Sequence, residues 1–325
     1  MLTVETFTKY VMKNLLSFMP DEYQDCKLQI RKVPKVNEVL TGVVIVPKAK
    51  KKSFVSPTFY IERMYEQYTQ SGDLEGTMRK QAEYLEESKK CLPPETKLMM
   101  MGSDLIRTDM VVFQLVNAAA NAEMLKICPH RDFGCLAAVY RIIVSIDNAG
   151  VSGFLVTNDI AEVENWSEEY LYELAKTNTP KIFPFTVERI EDTMMRMMKR
   201  WGNTDTRKEI FPDYDTIPTE QRTFVISNKY EFFGANVLMF PEEIRKVAEQ
   251  IGTDVYVLPS SVHDVVVLSD KAFTEKNKLI GLVKSTNADH VRPQDRLADL
   301  MWKYTLDTNE LTEVVEVVEE KRVGA

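Results

Sequence analysis

Residues 254–268 read DVYVLPSSVHDVVVL, two β-branched apolar runs separated by a short polar segment. Runs of Val, Tyr and Leu of this length suit extended chain packed on at least one face. Between them, Pro259, Ser260, Ser261 and Asp264 are turn formers, each able to supply or replace a turn hydrogen bond. The stretch therefore predicts an antiparallel hairpin closed by a polar turn. Only His263 lacks a local structural reason.

Working outward, TFVISN (223–228) and GANVLMF (234–240) predict two further strands, and PEEIRKVAEQIG (241–252) a helix that starts at Pro241, where a missing N–H costs nothing. A helix near 274–286 and a strand entering a turn over 300–311 follow. Upstream, MVVFQLVN (110–117) reads as a strand. CLAAVYRIIVSID and GVSGFLVTN form a hairpin turning at Asn148, Ala149 and Gly150, where Asn and Gly accept positive φ. Ser167 caps the next helix, with Trp166 and Leu171 as a hydrophobic staple, and Pro180 and Pro184 stop it. In TVERIEDTMMRMMKRWG (186–202) the residues Val187, Ile190, Met194, Met197 and Trp201 fall on one helical stripe. Near the N-terminus, Phe7, Val11, Leu15 and Phe18 recur at helical spacing until Pro20. CKLQIRKV and TGVVIV make a strand pair, and Asp73 caps a helix lined by Leu74, Met78, Ala82 and Leu85.

Hairpins interleaved with helices, without regular strand-helix alternation, predict an α+β fold of antiparallel hairpins and small sheets packed with helices. The expected sections are 1–95 (helix, hairpin, helix), 103–202 (central α+β) and 222–312 (C-terminal α+β). Residues 203–221 read as a linker or long loop, and 313–325 as a frayed tail.

A formal charge of −8 repels phosphate and argues against broad nucleic-acid binding. Lys48, Lys50, Lys51 and Lys52 remain as a local basic loop, read first as a solvated tip and second as a nucleic-acid contact. The four cysteines, Cys26, Cys91, Cys128 and Cys135, include no CxxC, which fits a reducing interior. The N-terminus reads as an amphipathic helix rather than a signal peptide, and nothing approaches the ~20 apolar residues of a membrane span. The expectation is a soluble cytoplasmic protein without a membrane segment.

For chemistry, the histidines are His130, His263 and His290. A hydrolase or transferase reading takes Ser260 or Ser261 as nucleophile, His263 as base and Asp264 as orienter, with His130 joining them. Against it, neighbouring side chains diverge, triads draw on separate segments, and there is no GxSxG elbow. In ICPHRDFGC (127–135) the HRD is no kinase loop: position 137 is Ala, no glycine-rich loop precedes it, and no separate DFG follows it. Cys128, His130 and Cys135 offer three zinc ligands where a structural site wants four. The alternative is a turn in which Arg131 and Asp132 pair locally. Asp205, Asp213, Asp215 and Glu220 match no calcium loop. No Walker loop, HExxH or GxGxxG is present, so no cofactor is expected. Met194, Met195, Met197, Met198 and Trp201, with His263, are the candidates for a partner-binding surface.

Several motifs together resemble one bacterial family, the domain of unknown function numbered 5688. They are PDEYQD followed by IRKV, YEQYTQSGDLE, FQLVN, CPHRDF leading into AVYRIIV, YELAKTNTPKIFP, and FFGANVLMF followed by VYVLPSSVHDVVVL. More distantly, Ala175 and Asn178 with Pro259 and Ser260 are similar to a pattern of the family numbered 1444. The resemblance implies a cytosolic protein of anaerobic Gram-positive bacteria, often encoded near mobile elements, and no assigned activity. Together these readings favour a non-enzymatic module that binds a protein partner or a second copy of itself.

Overall fold

The computed structural model describes residues 1–48, 57–91, 106–147, 150–202 and 204–316. The chain divides into two units, Met1–Arg107 and Thr108–Ala325, and its fold is α+β with antiparallel sheets.

In the first unit α1 (Val4–Phe18) starts where the Thr3 hydroxyl accepts the Thr6 N–H, 3.3 Å away. It buries Phe7, Val11 and Leu15, one turn apart. The strands β1 (Cys26–Lys35), β2 (Glu38–Pro47) and β3 (Thr58–Tyr60) form a sheet in that order. Next, α2 (Ile61–Ser71) ends on Gly72 at φ 71°, a left-handed stop that glycine adopts without strain. Asp73 accepts the Gly76 N–H at 2.9 Å and opens α3 (Leu74–Cys91). The core joins Phe7, Val11 and Leu15 to Val43, Ile45, Met64, Tyr68 and Met78. Leu74, Ala82 and Leu85 pack against it, as their spacing predicts.

Among its described residues the second unit holds two sheets. In the smaller, β6 (Leu136–Asp147) pairs with β4 (Val111–Asn117), β5 (His130–Phe133) and β7 (Gly150–Leu155). In sequence the short α4 (Ala122–Leu125) lies between β4 and β5, and α5 (Asn158–Val163) between β7 and α6 (Glu168–Ile182). Ser167 caps α6, accepting the Tyr170 N–H at 3.1 Å. The larger sheet is built from β8 (Phe185–Arg189), β9 (Thr223–Asn228), β10 (Val255–Pro259), β11 (Val265–Ser269), β12 (Met301–Thr305) and β13 (Glu310–Val314). Its order is β13-β12-β10-β11-β9-β8, antiparallel throughout. The remaining helices are α7 (Ile190–Arg200), α8 (Arg207–Ile210), α9 (Pro241–Ile251) and α10 (Lys276–Asp289).

The 254–268 hairpin is the centre of this sheet, with Val255 opposite Ser269 and Pro259 opposite Val265. Because side chains alternate along a strand, Tyr256, Leu258 and Leu268 join Leu279, Ile280 and Val283 of α10 in one core cluster. Val255, Val257, Val265 and Val267, out of phase with them, are fully buried as well. A hairpin covered on both faces explains its nearly continuous apolar runs.

One free edge of the smaller sheet is closed by side chains. Successive odd residues of β4 point their backbone groups away from β6. Asn178 donates to the Val111 carbonyl at 3.2 Å, and the Thr179 hydroxyl accepts the Phe113 N–H at 3.0 Å. Asn236 donates to the Phe113 carbonyl at 2.6 Å and accepts the Leu115 N–H at 3.1 Å. All three side chains are buried, so these bonds satisfy groups that would otherwise be desolvated without partners.

Several expectations need correction. GANVLMF is no strand but a 3-10 turn, Gly234–Met239, because the Asn236 side chain supplies the edge bonds a strand would have made. CPHRDF is no turn: His130–Phe133 pair with β6 as β5. Arg131 bonds to Glu168 and Glu169 rather than to Asp132. Pro180 lies inside α6, whose end is held by Asn178 and Thr179 on β4. Glu313 and Val314, assigned to the tail, belong to β13. The sections expected over 103–202 and 222–312 fall within a single unit, since β8 pairs with β9 and Asn236 bonds to β4 across the presumed linker. That linker contains α8, held by a capping box between Thr206 and Glu209.

Candidate functional site

The turn between β10 and β11 uses its polar residues on itself. The Ser261 hydroxyl accepts the His263 N–H at 2.9 Å and donates to Asp264 across 3.4 Å. The Asp264 carbonyl accepts the N–H groups of Ser260 and Ser261. Burial pushes the Asp264 carboxyl above its ordinary value, opposed by the Ser260 and Ser261 hydroxyls and by His263. The imidazole points elsewhere. His263 Nε2 lies 3.4 Å from Asp295 Oδ1, while the ring sits 5.5 Å from that of Phe232. Asp295 also receives Arg292 Nε at 2.8 Å, and its carbonyl accepts the Val262 N–H. His263 Nδ1 is buried without a hydrogen-bond partner among the described residues. Thus the turn brings Ser261 and Asp264 together, and turns the His263 ring to a partner thirty-odd positions away instead.

His130 lies on β5, with Nδ1 3.0 Å from the Cys128 carbonyl. Cys128 donates its thiol to the Met124 carbonyl, and burial pushes that thiol up to about 11. Burial and the neighbouring Glu313 push Cys135 up to about 12. Among the described residues no three His, Cys, Asp or Glu side chains gather as a metal-holding group. Next to His130, Arg131 forks onto Glu168 at 3.0 and 2.7 Å, reaches Glu169 at 2.6 Å, and stacks 3.7 Å from the centre of the Tyr172 ring. Tyr140 donates to the same Glu168. Burial pushes Glu168 up, but the bonds from Arg131 and Tyr140 outweigh it and hold the carboxyl below its ordinary value.

The methionine helix α7 divides its residues between inside and outside. Met195 is 6% exposed, whereas Met194 is 40%, Met197 43% and Trp201 78% exposed. Met198 is half-buried. The inner face is held by polar anchors: Arg189 bonds to Glu191 at 3.2 Å, donates to the Tyr214 carbonyl at 2.8 Å, and stacks on the Tyr214 ring. Tyr214 in turn donates to Asp192 at 2.7 Å.

Beside α7 runs a cleft of about 880 Å³, whose cationic lining is Arg189, Arg196, Lys199, Arg200 and Arg207. Among the described residues Glu188 and Asp192 are the acids that line it, and Val187, Met195 and Phe224 supply its apolar surface. A smaller hollow of about 190 Å³ shares Arg196 and Arg200 and adds Lys229 and Glu231. Glu231 accepts two bonds from Arg200, at 2.7 and 3.0 Å, and pairs with Arg196.

The loop 228–234 links this cleft to the His263 turn. Its Glu231 and Phe233 adopt φ of 52° and 57°, a conformation costly for side chains of this size. Asn228 holds the loop by accepting the Tyr230 N–H and donating to the Phe232 carbonyl. Ser227 donates to the His263 carbonyl at 2.8 Å. A Cβ on Gly234 would come within 2.2 Å of that carbonyl, so only glycine lets the two segments approach. The arginine cleft escaped sequence reasoning. Its one local signal is Arg196 and Arg200, four apart and so on one helix face.

Of the basic loop, Lys50, Lys51 and Lys52 lie outside the described residues; the Lys48 N–H donates to the Asp25 carbonyl. No helix among the described residues is long and apolar enough to cross a membrane. Neither a curated protein nor a solved structure matches this chain. A family model does match, over residues 4–306, and it is described as a family of unknown function, DUF5688. The chain belongs to that family.

Proposed function

We propose that the chain is a non-enzymatic, cytoplasmic protein-binding module whose contact surface is the outer face of α7. The observation that carries this reading is the outward stripe of Met194, Met197 and Trp201, spaced by three and four residues. Apolar side chains placed together on one helix face gain free energy when a partner removes them from water. Methionine and tryptophan suit such contacts, one by adapting its shape and the other by offering a large rigid surface. His263 belongs to the same region through the loop that Gly234 and Ser227 tie to its turn. A cellular setting near mobile elements, implied by the family resemblance, is part of the same proposal.

The test places a photo-crosslinking residue at position 197 of the full chain in source cells, with position 5 on α1 as control. Scattering mass is followed over a concentration series alongside it. Discrete adducts at 197 that vanish in a Met194→Ser, Trp201→Ser variant, or a mass that rises in the wild type alone, support the reading. A mass of one chain at every concentration, with no adduct specific to 197, overturns it.

A further inference from the structure

We infer that the cleft beside α7 and the hollow adjoining it bind a small anion through a diphosphate group. The inference stands apart from the contact surface proposed above, because Met194, Met197 and Trp201 line neither cavity. The two cavities gather cations in a chain whose formal charge is −8. Arg189 is nearly buried and already neutralised by Glu191. That leaves Arg196, Lys199, Arg200, Arg207 and Lys229 facing Glu188, Asp192 and Glu231 among the described lining residues. A concave place of reversed sign draws anions in and concentrates them. At about 880 Å³ the cleft has the size of an ordinary small-molecule site.

Arg196 and Arg200, shared by both cavities, form the seat. Arg200 forks onto Glu231 at 2.7 and 3.0 Å, and Arg196 pairs with the same carboxylate. Two guanidiniums thus converge on one oxyanion, which the protein supplies from its own loop. Glu231 reaches that place at φ 52°, a backbone conformation costly for a side chain of its size. These pairs are open to water, and ion pairs in water hold weakly. A more highly charged anion therefore displaces Glu231 and inherits both guanidiniums. With Glu231 gone, the five cations exceed Glu188 and Asp192 by three charges. Two linked phosphoryl groups, at about −1.5 each near neutral pH, bring the matching charge.

Direction decides between phosphate and carboxylate. Arg196, Lys199 and Arg200 project from α7, Arg207 from α8, and Lys229 from the residue just past β9. A carboxylate is planar and offers two oxygens, whereas phosphoryl oxygens spread in three dimensions and meet donors from several elements at once. Lys199 is exposed and makes no ion pair among the described residues, so its ammonium is ready for such an oxygen. Arg207 is set by Asp192 at 2.6 Å and by stacking 4.3 Å from the Tyr214 ring, and its fork keeps donors for a second oxyanion. The rest of the ligand finds little to hold. Arg189 and Arg207 both stack on Tyr214, and Phe224 is buried, so neither ring is open to a nucleobase.

The measurement is titration calorimetry of the full chain at low salt without divalent cations. The probes are inorganic diphosphate, inorganic phosphate, citrate, a nucleoside diphosphate and an oligothymidine. Diphosphate binds about tenfold more tightly than phosphate or citrate, and its affinity falls as salt rises. Lys199→Glu lowers that affinity about tenfold and Lys199→Arg keeps it; circular dichroism verifies that both fold. Glu231→Gln raises it about threefold, a gain that ion pairs serving stability alone do not produce. An affinity that does not rise overturns the displacement of Glu231. A nucleoside diphosphate equal to the inorganic anion supports recognition of the diphosphate alone; one that binds more tightly supports the same site and names a nucleotide as its source. Phosphate or citrate binding as tightly as diphosphate overturns the inference, as does no binding of any probe. Diphosphate affinity unchanged in Lys199→Glu puts the binding elsewhere and overturns it too. Oligothymidine held more tightly than diphosphate, with the same loss in Lys199→Glu, assigns the cleft to nucleic acid and overturns it.

Discussion

The side chain of Asn236 acts towards Leu115 as a neighbouring strand would, accepting its N–H at 3.1 Å while donating to the Phe113 carbonyl two residues earlier. Asn236 is almost fully buried, and it bridges segments more than a hundred positions apart. Asn236→Leu leaves one backbone donor and one acceptor without partners in a dry place, and should destabilise the second unit by about 2–5 kcal/mol. Urea unfolding followed by tryptophan fluorescence measures it. A change below about 1 kcal/mol would mean that water or a shifted backbone replaces the lost bonds.

Gly234 is the contact point between loop 228–234 and the His263 turn. Gly234→Ala drives a methyl group against the His263 carbonyl and the Ser227 Cα. Both obstacles are backbone atoms, so relief requires the two segments to separate, with a cost of about 1–3 kcal/mol. The variant should also lose the Ser227–His263 bond. Amide exchange at 260–264 should accelerate more than exchange in α10.

Arg131 joins β5 to α6 through Glu168 and Glu169. Arg131→Met keeps the stem over Tyr172 but removes the fork, at an expected cost of about 1–3 kcal/mol near neutral pH. The sign with pH follows from Glu168. Its folded carboxyl is held below the ordinary 4.5, so its contribution is present above that value and is lost as pH falls through the depressed one. The stability gap between wild type and variant should therefore narrow on acidification. A gap independent of pH would place the effect in packing alone.

Asp264 runs in the opposite sense. Burial raises its carboxyl above the ordinary 3.8, so the folded state holds a proton there more tightly than the unfolded chain. Its effect favours folding at low pH and fades as pH rises from 3.8 through the raised value. Asp264→Asn removes that titration while keeping an oxygen for Ser261. Stability curves of the two proteins should differ in slope over that window and run parallel above it.

Much of the architecture is legible in short stretches of the chain. The hairpin at 254–268, the Asp73 and Ser167 caps, and the stripes of α1 and α3 all follow from strand alternation, helical spacing and side-chain hydrogen bonds a few residues long. The order of many such motifs also carries the family membership. Local pattern and fold part where a distant segment competes for the same backbone. GANVLMF has the composition of a strand, but Asn236 meets β4 and the backbone curls around that contact. Pro180 is a helix stopper by its missing N–H, yet Asn178 and Thr179 anchor the surrounding turn of α6 to β4.

The candidate site shows the same division. Helical spacing places Met194, Met197 and Trp201 on one side of α7, but spacing carries no sign: it cannot say whether that side meets the core or water. The ion pairs and ring contacts of Arg189, Asp192 and Tyr214 settle it, turning Met195 inward and the stripe outward. Likewise PSSVHD announces a turn, since Pro, Ser and Asp act on atoms within a few bonds of themselves. That His263 looks towards Asp295, and that Arg196 and Arg200 meet Glu231, depend on chain segments brought together by sheet pairing. Backbone sterics and near-neighbour hydrogen bonds are written residue by residue. The partners of a side chain across the fold emerge only when the apolar faces have been buried and the loops between them closed.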